Sequence, residues 1–455
     1  MKIIIVGAGR TCNLLVASLA KRNNDITVID MQKDLVDDLT DRYNVNGVVG
    51  SGAAKETLEK AGAAYADILI ALTPVDEINL LSCMQAKSVG TLHTMARVSQ
   101  PDLDEERESL EREHGIDFIF NPKYDMAEAV ALSIGLPGVA KHDGVFEGFL
   151  QMVTVSITDS SPLVGKTIME IRKEINTLFF IGTVIRDGKL FVPLGDFVIE
   201  SGDVICILSS VRDMMKTLHM VGVVKHHVRD VMIAGGGITS EYLVEMLLEQ
   251  KKNITLIDAD IDRCREVMEK YPEVQVVYKN GELSEIMEEE GIDHMDAVVA
   301  LTDSDEENLV TSLFAWSKNI PSILTEIEAP AHLKLLHRVN LDITLSSSEI
   351  SVDKLIRFIH NCEASDAPNQ IESYCSVSDN MAEVIQFTAG EDLKNEGVAI
   401  RDLLHVLKKG VLVATIIRNG EQIIPLGDQC IKKGDKVIII SDKKNHIENL
   451  NEIFK

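Results

Sequence analysis

The chain of 455 residues is long enough for two to four domains, and its 45% apolar content provides for a real core. A net charge of −27 argues against nucleic acid as a partner and against a polybasic grip on anionic lipid. Seven cysteines (12, 83, 206, 264, 362, 375 and 430) form no Cys-x-x-Cys pair, and no apolar run approaches the roughly 20 residues needed to span a bilayer, so a cytosolic protein with reduced thiols is expected.

The first expected element begins almost at Met1, so no signal peptide is expected ahead of it. Lys2–Val6 reads as a strand and runs into Gly7-Ala8-Gly9. A helix is predicted from about Thr11 to Arg22, with Leu14, Leu15, Leu19 and Ala20 at helical spacing. Ile26–Asp30 is a second strand that closes on an acid. Lys33–Tyr43 reads as a helix, Val45–Val49 as a short strand and Lys55–Ala61 as a helix. Asp67–Leu72 is nearly all apolar, as a strand buried on both faces should be. A helix from Asp76 to Ser88, strands His93–Val98 and Ile116–Phe120, and a helix Tyr124–Ile134 complete the first unit. Such alternation belongs to a doubly wound α/β sheet.

The chain then repeats itself. Val231–Ala234 leads into Gly235-Gly236-Gly237, and Ile254–Asp258 again ends in an acid. The spacing from first glycine to acid is 23 residues both times, from Gly7 to Asp30 and from Gly235 to Asp258. Thr73-Pro-Val-Asp-Glu-Ile-Asn-Leu80 returns as Thr302-Asp-Ser-Asp-Glu-Glu-Asn-Leu309. The stretches behind each sheet also match, at an offset of 232. Arg186-Asp-Gly188 pairs with Arg418-Asn-Gly420, Pro193–Asp196 with Pro425–Asp428, and Gly202-Asp203 with Gly434-Asp435. Arg-Asp-Gly and Arg-Asn-Gly between β-rich runs are hairpin signals. The expected fold is therefore α/β, with two doubly wound, Rossmann-like parallel-sheet domains (1–134 and 228–360). Each is followed by a small β-rich α+β domain (135–224 and 370–455). Breaks are expected at Gly135–Gly138, Lys225–Val228 and Glu363–Asn369.

A strand, a glycine turn, a helix, a strand and an acid make a dinucleotide-binding unit. Gly7 and Gly9 let the backbone approach a pyrophosphate at the N-terminus of the next helix. Arg10 adds a positive charge beside phosphate oxygens. Asp30 can accept both ribose hydroxyls of an adenosine; the competing role is N-cap of the next helix. Thr73 and Pro74, past the fourth strand, lie over the same crevice. Cys12 and Ser240 hold the places of the third glycine of the fingerprint and read as small packed residues. Ile238 stands where Arg10 stands, so the second copy is expected to bind more weakly, to take a different nucleotide or to stay empty. No His-x-x-x-His, Gly-x-Ser-x-Gly or Gly-x-x-x-x-Gly-Lys-Ser/Thr P-loop pattern appears, and no catalytic or metal-binding set is predicted.

Ile4-Ile-Val-Gly-Ala-Gly-Arg10, Asn24–Asp30, Ala71–Glu77 and Ala96-Arg97-Val98 resemble the nucleotide-binding half of RCK (regulator of potassium conductance) proteins. The tandem layout resembles the peripheral subunits of bacterial Trk potassium uptake systems over essentially the whole chain. The resemblance implies a non-enzymatic cytoplasmic protein, peripheral at the inner face of the membrane. It implies a homo-oligomeric gating ring, dimer or tetramer, beneath a membrane potassium-translocating subunit of the TrkH type. NAD(H) or ATP/ADP would bind in the nucleotide domains. Carried over, Gly7, Ala8, Gly9, Arg10, Thr11, Asp30, Thr73, Pro74 and Arg97 form the first site, with Arg97 reaching phosphates across a subunit contact. Gly235, Gly237 and Asp258 anchor the second. The chain departs from the family pattern at Cys12, Ser240, Ser51–Ala54 and Asn280, which bears on affinity and nucleotide choice more than on fold. Two other classes stay open on sequence alone: an NAD-dependent oxidoreductase, and a nucleotide sensor for a different transporter. The β-rich modules could also hold their own ligand, such as a cyclic dinucleotide.

Overall fold

Strand β1 (Lys2–Val6) places Ile3, Ile4, Ile5 and Val6 at no more than 2% exposure, which requires cover on both faces. That cover comes from helices between parallel strands. The strands are β2 (Asp25–Asp30), β3 (Asn46–Val49), β4 (Ile68–Ala71), β5 (His93–Arg97) and β6 (Phe118–Phe120). They pair in parallel in the order β3-β2-β1-β4-β5-β6. The order reverses between β1 and β4, and a crevice opens there at the carboxyl ends of the strands. The computed structural model describes residues 1–455 except 21–23, 137, 138, 140, 147–149, 175–178, 211, 224–227, 330, 333–342, 364–368, 370, 379, 380, 404, 424 and 426. The predicted break at Pro137-Gly138, the linker Lys225–His227, most of Glu363–Asn369, Leu426 of the Pro425–Asp428 repeat and the end of the first predicted helix lie outside the described residues.

The first β-rich module carries β7 (Lys141–Phe146), β8 (Leu150–Ser156), β9 (Phe179–Arg186), β10 (Lys189–Phe191) and β11 (Val204–Ser210). They form an antiparallel sheet ordered β10-β9-β11-β8-β7. The second nucleotide-type sheet uses β12 (Asp230–Ala234), β13 (Asn253–Asp258), β14 (Gln275–Tyr278), β15 (Ala297–Ala300), β16 (Ser322–Glu326) and β17 (Ile343–Leu345). Its order, β14-β13-β12-β15-β16-β17, repeats the first. The last sheet, β18 (Ile371–Val377), β19 (Ala382–Thr388), β20 (Val411–Arg418), β21 (Glu421–Ile423) and β22 (Lys436–Asp442), is ordered β18-β19-β22-β20-β21. Read strand for corresponding strand, that is the topology of the first β-rich sheet.

Local chemistry explains the element ends. The two predicted hairpins form with left-handed residues at both turn positions: Asp187 (φ 52°) and Gly188 (69°), then Asn419 (54°) and Gly420 (80°). The helix expected at Tyr124–Ile134 starts earlier and spans Pro122–Gly135. Proline opens it, and Asn121 Oδ1 accepts the amides of Lys123 (3.0 Å) and Tyr124 (3.2 Å). Within the first nucleotide-type domain two α-helices were not foreseen, Pro101–Glu105 and Arg107–His114.

Chain order alternates the two domain types, but packing groups like with like. One compact unit joins Met1–Ala131 to Arg229–Ile356, and the other joins Leu132–Val228 to Arg357–Lys455. Within the first unit, Asn121 Nδ2 donates to Tyr242 Oη at 3.1 Å, and Lys354 Nζ meets the buried Asp125 at 2.6 Å. Within the second, Met152, Leu208 and Cys206 share a core with Val384, Ile438 and Ile440. A side chain at Gly182 would meet Ile440 at 2.4 Å, so this glycine lets the two β-rich sheets approach.

The repeated Arg-x-Gly and Gly-Asp pairs have a structural task. Arg186 grips Asp203 through two bonds (2.7 and 2.8 Å), and Arg418 grips Asp435 through two (2.8 and 2.7 Å). Asp203 and Asp435 are 0% and 1% exposed. Removing the guanidinium leaves a buried charge unpaired. Arg186→Ala is therefore expected to destabilise its module by about 3 kcal/mol, read as a lowered unfolding midpoint. A loss below about 1 kcal/mol, the level of an exposed pair, would refute this assignment.

Candidate nucleotide-binding crevice

The first crevice is built around a turn that only glycine can make. Gly7 has φ +101°, and a Cβ there would lie 3.0 Å from the carbonyl carbon of Leu72 and 3.0 Å from Thr73 N. The turn is thereby pressed against the end of β4. Gly9 is the N-cap of the helix Arg10–Leu19, with no side-chain cap and no acid in the first turn. A Cβ at Gly9 would meet nothing within 4 Å, so the missing side chain leaves open space over the helix end. Asn13 N–H to Gly9 C=O is the first helical bond (3.0 Å), and the amides ahead of it suit an anion.

Asp30 ends β2 and faces this turn. Its Oδ2 accepts Ala8 N–H and its Oδ1 accepts Gln32 N–H, both at 2.8 Å. It does not cap the helix Lys33–Tyr43, whose N-cap is Gln32 without a side-chain bond. Each carboxylate oxygen keeps acceptor capacity, so the group is held in place yet can still receive hydroxyls. Thr73 closes the other side. Its N–H (2.8 Å) and Oγ1 (2.7 Å) donate to Asn79 Oδ1, while Asn79 Nδ2 donates to the carbonyls of Thr73 (2.9 Å) and Arg97 (3.0 Å). Asn79 is fully buried and ties the ends of β4 and β5 together. Sequence reading passed it over, although its recurrence as Asn308 in the repeated segment was a usable signal. Arg97 Nε donates to Ser99 Oγ at 3.3 Å, with Asp76 nearby, and burial lowers its affinity for the proton. Pro74 follows Thr73 and is exposed.

Cys12 is 0% exposed, and burial together with the Asp30 charge pushes its thiol up to about 12. It packs as a small residue and is no reactive thiolate. Arg10 and Thr11 make contacts the sequence did not suggest: Arg10 Nε lies 2.9 Å from Glu328 Oε2, and Thr11 Oγ1 lies 3.4 Å from Ser348 Oγ.

The second crevice repeats the frame with different charges. Gly235 has φ +105°, and a Cβ there would fall 2.5 Å from Leu301 O. Gly237 is again open. Asp258 accepts Gly236 N–H (2.5 Å) and Asp260 N–H (2.6 Å). Asn308 repeats the tie of Asn79, bonding the carbonyls of Thr302 (2.9 Å) and Glu326 (3.1 Å). Glu326 therefore stands where Arg97 stands. Burial pushes its carboxyl up to about 7; Lys123 opposes this, and Glu328, Asp303 and Asp305 reinforce it. Ile238 replaces Arg10. Glu241 enters the first helical turn and is held by Arg263 (2.6 Å) and Lys270 (2.7 Å). Lys279, near the end of β14, pairs with Glu307.

Comparison with known proteins follows the same division. The TrkA-N domain family matches residues 3–122 and 231–347, and the TrkA-C domain family matches 152–222. The Trk system potassium uptake protein TrkA homolog 1 of Methanosarcina mazei is 28% identical over 449 residues, covering 97% of each chain. The Trk system potassium uptake protein TrkA of Halomonas elongata is 28% identical over 459 residues, covering 100% of this chain and 99% of its own. Among solved structures, the GsuK channel superposes with a TM-score of 0.65 at 18% identity, over 97% of this chain and 77% of that one. GsuK bound to NAD gives 0.64 at the same identity and coverage, and the separate GsuK RCK domain gives 0.63. These likenesses establish the tandem RCK fold. Two glycine turns, two clamped acids and two matched TrkA-N segments spanning more than half the sequence lead to one assignment: the chain belongs to the TrkA family.

Proposed function

We propose that this chain is the nucleotide-sensing regulatory subunit of a potassium uptake system, acting on a membrane potassium-translocating subunit of the TrkH type. It works as a homo-oligomeric ring, dimer or tetramer, at the cytoplasmic face of the membrane, and does not bind nucleic acid. It is a sensor and no enzyme. The functional modules are 1–134, 135–224, 228–360 and 370–455. NAD(H) or ADP/ATP binds the first crevice through Gly7, Ala8, Gly9, Arg10, Thr11, Asp30, Thr73, Pro74 and Arg97. Gly235, Gly237 and Asp258 anchor a weaker second site.

One observation carries the reading. A clamped Asp30 carboxylate faces a glycine turn that opens onto an uncapped helix N-terminus. That is an acceptor for ribose beside a donor set for phosphate. Relatives named as Trk potassium uptake proteins, over 97% or more of the chain, support the transport role. Fold neighbours described as bound to NAD and to ADP support the ligand class. A ligand shifts such a ring only through unequal affinity for its two shapes.

The direct test is thermal unfolding of the wild-type chain with NAD⁺, NADH, ADP, ATP or cyclic di-AMP. Binding stabilises by mass action, by about 2.7 kcal/mol at a hundredfold excess over Kd. At least one of the first four ligands is expected to raise the melting temperature. A response to cyclic di-AMP alone, or to none of them, would sink the nucleotide-sensor reading.

A further inference from the structure

The phosphate corner of the first crevice is not built by the first repeat alone. Arg10 and Thr11 both touch the second nucleotide-type domain, which belongs to the same compact unit. Glu328 is itself firmly placed. Its Oε1 accepts Ser346 Oγ and Ser348 N–H, each at 3.1 Å, and its own N–H donates to Asp305 at 3.0 Å. Its other oxygen, Oε2, lies 2.9 Å from Arg10 Nε. Neither of those two atoms completes an aligned hydrogen bond, although both are buried. The contact is thus a charge pair of poor geometry, between side chains 35% and 29% exposed. Such a pair is weak and exchangeable. A phosphate offers the guanidinium aligned, charge-assisted bonds and is the better partner. The device is one-sided, because Ile238 and Ser99 occupy the equivalent places in the other crevice.

Resting on the reading of the first crevice as a nucleotide site, we propose that Glu328 is an internal competitor for the nucleotide's phosphates. It holds Arg10 in the ligand-free chain and gives it up when a diphosphate binds. Binding at the first crevice is then felt at the start of the helix Ser347–Glu363, where Glu328 is anchored. The cost of nearby negative charge also rises with phosphate number, so Glu328 sets selectivity against triphosphates.

The test is calorimetric titration of ADP and ATP into the full-length wild type, Glu328→Gln, Arg10→Ala and the double variant. Glutamine keeps an acceptor for Ser346 and Ser348, so the corner should hold, and the unfolding midpoint checks this. Glu328→Gln is expected to tighten ADP about fivefold and ATP by more. Both gains should shrink in the Arg10→Ala background, where only the direct repulsion between Glu328 and the phosphates is left to remove, as a pairwise coupling requires. Unchanged or weaker ADP binding by a folded Glu328→Gln, or the same gain without Arg10, would overturn the competitor. A wild type that binds neither nucleotide would overturn the site reading as well, so the two failures are told apart.

Discussion

Asp30→Ala is expected to weaken nucleotide binding about 100-fold, while Asp258→Ala leaves the main binding event nearly unchanged. The asymmetry follows from what each carboxylate faces. Asp30 holds the glycine turn through Ala8 and its own loop through Gln32, and both oxygens retain acceptor capacity. Two ribose hydroxyls bound by an ionised group contribute about 1.5–3 kcal/mol each, so losing both removes at least about 3 kcal/mol. Asp258 has the same clamp, but its crevice presents Glu326 in place of Arg97 and Ile238 in place of Arg10. Titration calorimetry on the two variants gives the comparison directly. Equal losses from both substitutions would mean that the crevices share the ligand load. A greater loss from Asp258→Ala would invert the assignment. Asp30→Asn separates clamp from ligand contact: it keeps one neutral acceptor and should fall between the wild type and alanine.

Much of this architecture was legible because it rests on local chemistry. Consecutive aliphatics in β1 and β4 announce strands covered on both faces, and Gly7 with Asp30 places the crevice at the strand ends. Duplication doubled each signal. What escaped the sequence depends on contacts between distant segments. Asn79 looks like an ordinary polar residue until the fold brings the Thr73 and Arg97 carbonyls to its amide. Glu328 meets Arg10 only because the two nucleotide-type domains pack together although a β-rich module separates them in the sequence. The pairing of like modules is itself nonlocal. The helices Pro101–Glu105 and Arg107–His114 escaped for a different reason: neither fully buries a residue, so neither carries the apolar stripe that periodicity detects. The repeated Arg-x-Gly and Gly-Asp pairs were visible as a pattern, but their meaning, a bidentate pair closing each β-rich module, needed the fold.

Glu326→Gln is expected to remove a stability slope between about pH 4.5 and pH 7. Burial raises the folded carboxyl to about 7, from the 4.5 of an ordinary glutamate. The folded state therefore binds the proton more tightly than the unfolded chain. Below the unfolded value both states are protonated and the group contributes nothing to the slope. As pH rises from 4.5 towards 7, the unfolded chain ionises freely while the folded one resists, so stability falls. Above 7 the full cost of the buried charge is present. At 1.36 kcal/mol per unit, that cost is on the order of 3 kcal/mol. Burial sets the direction; among the groups facing Glu326, Lys123, from the first nucleotide-type domain, opposes it, and Glu328, Asp303 and Asp305 reinforce it. Unfolding midpoints of wild type and Glu326→Gln should therefore coincide near pH 4.5 and separate towards pH 8, with the glutamine variant the more stable. Parallel profiles would show that Glu326 ionises as it does in the unfolded chain. The same titration bears on sensing. A crevice that loses a negative charge on acidification becomes a better host for phosphates, so residual nucleotide binding by an Asp30→Ala chain should strengthen as pH drops from 8 to 6. In Asp30→Ala/Glu326→Gln that gain should disappear, because the charge that acid removes is already gone.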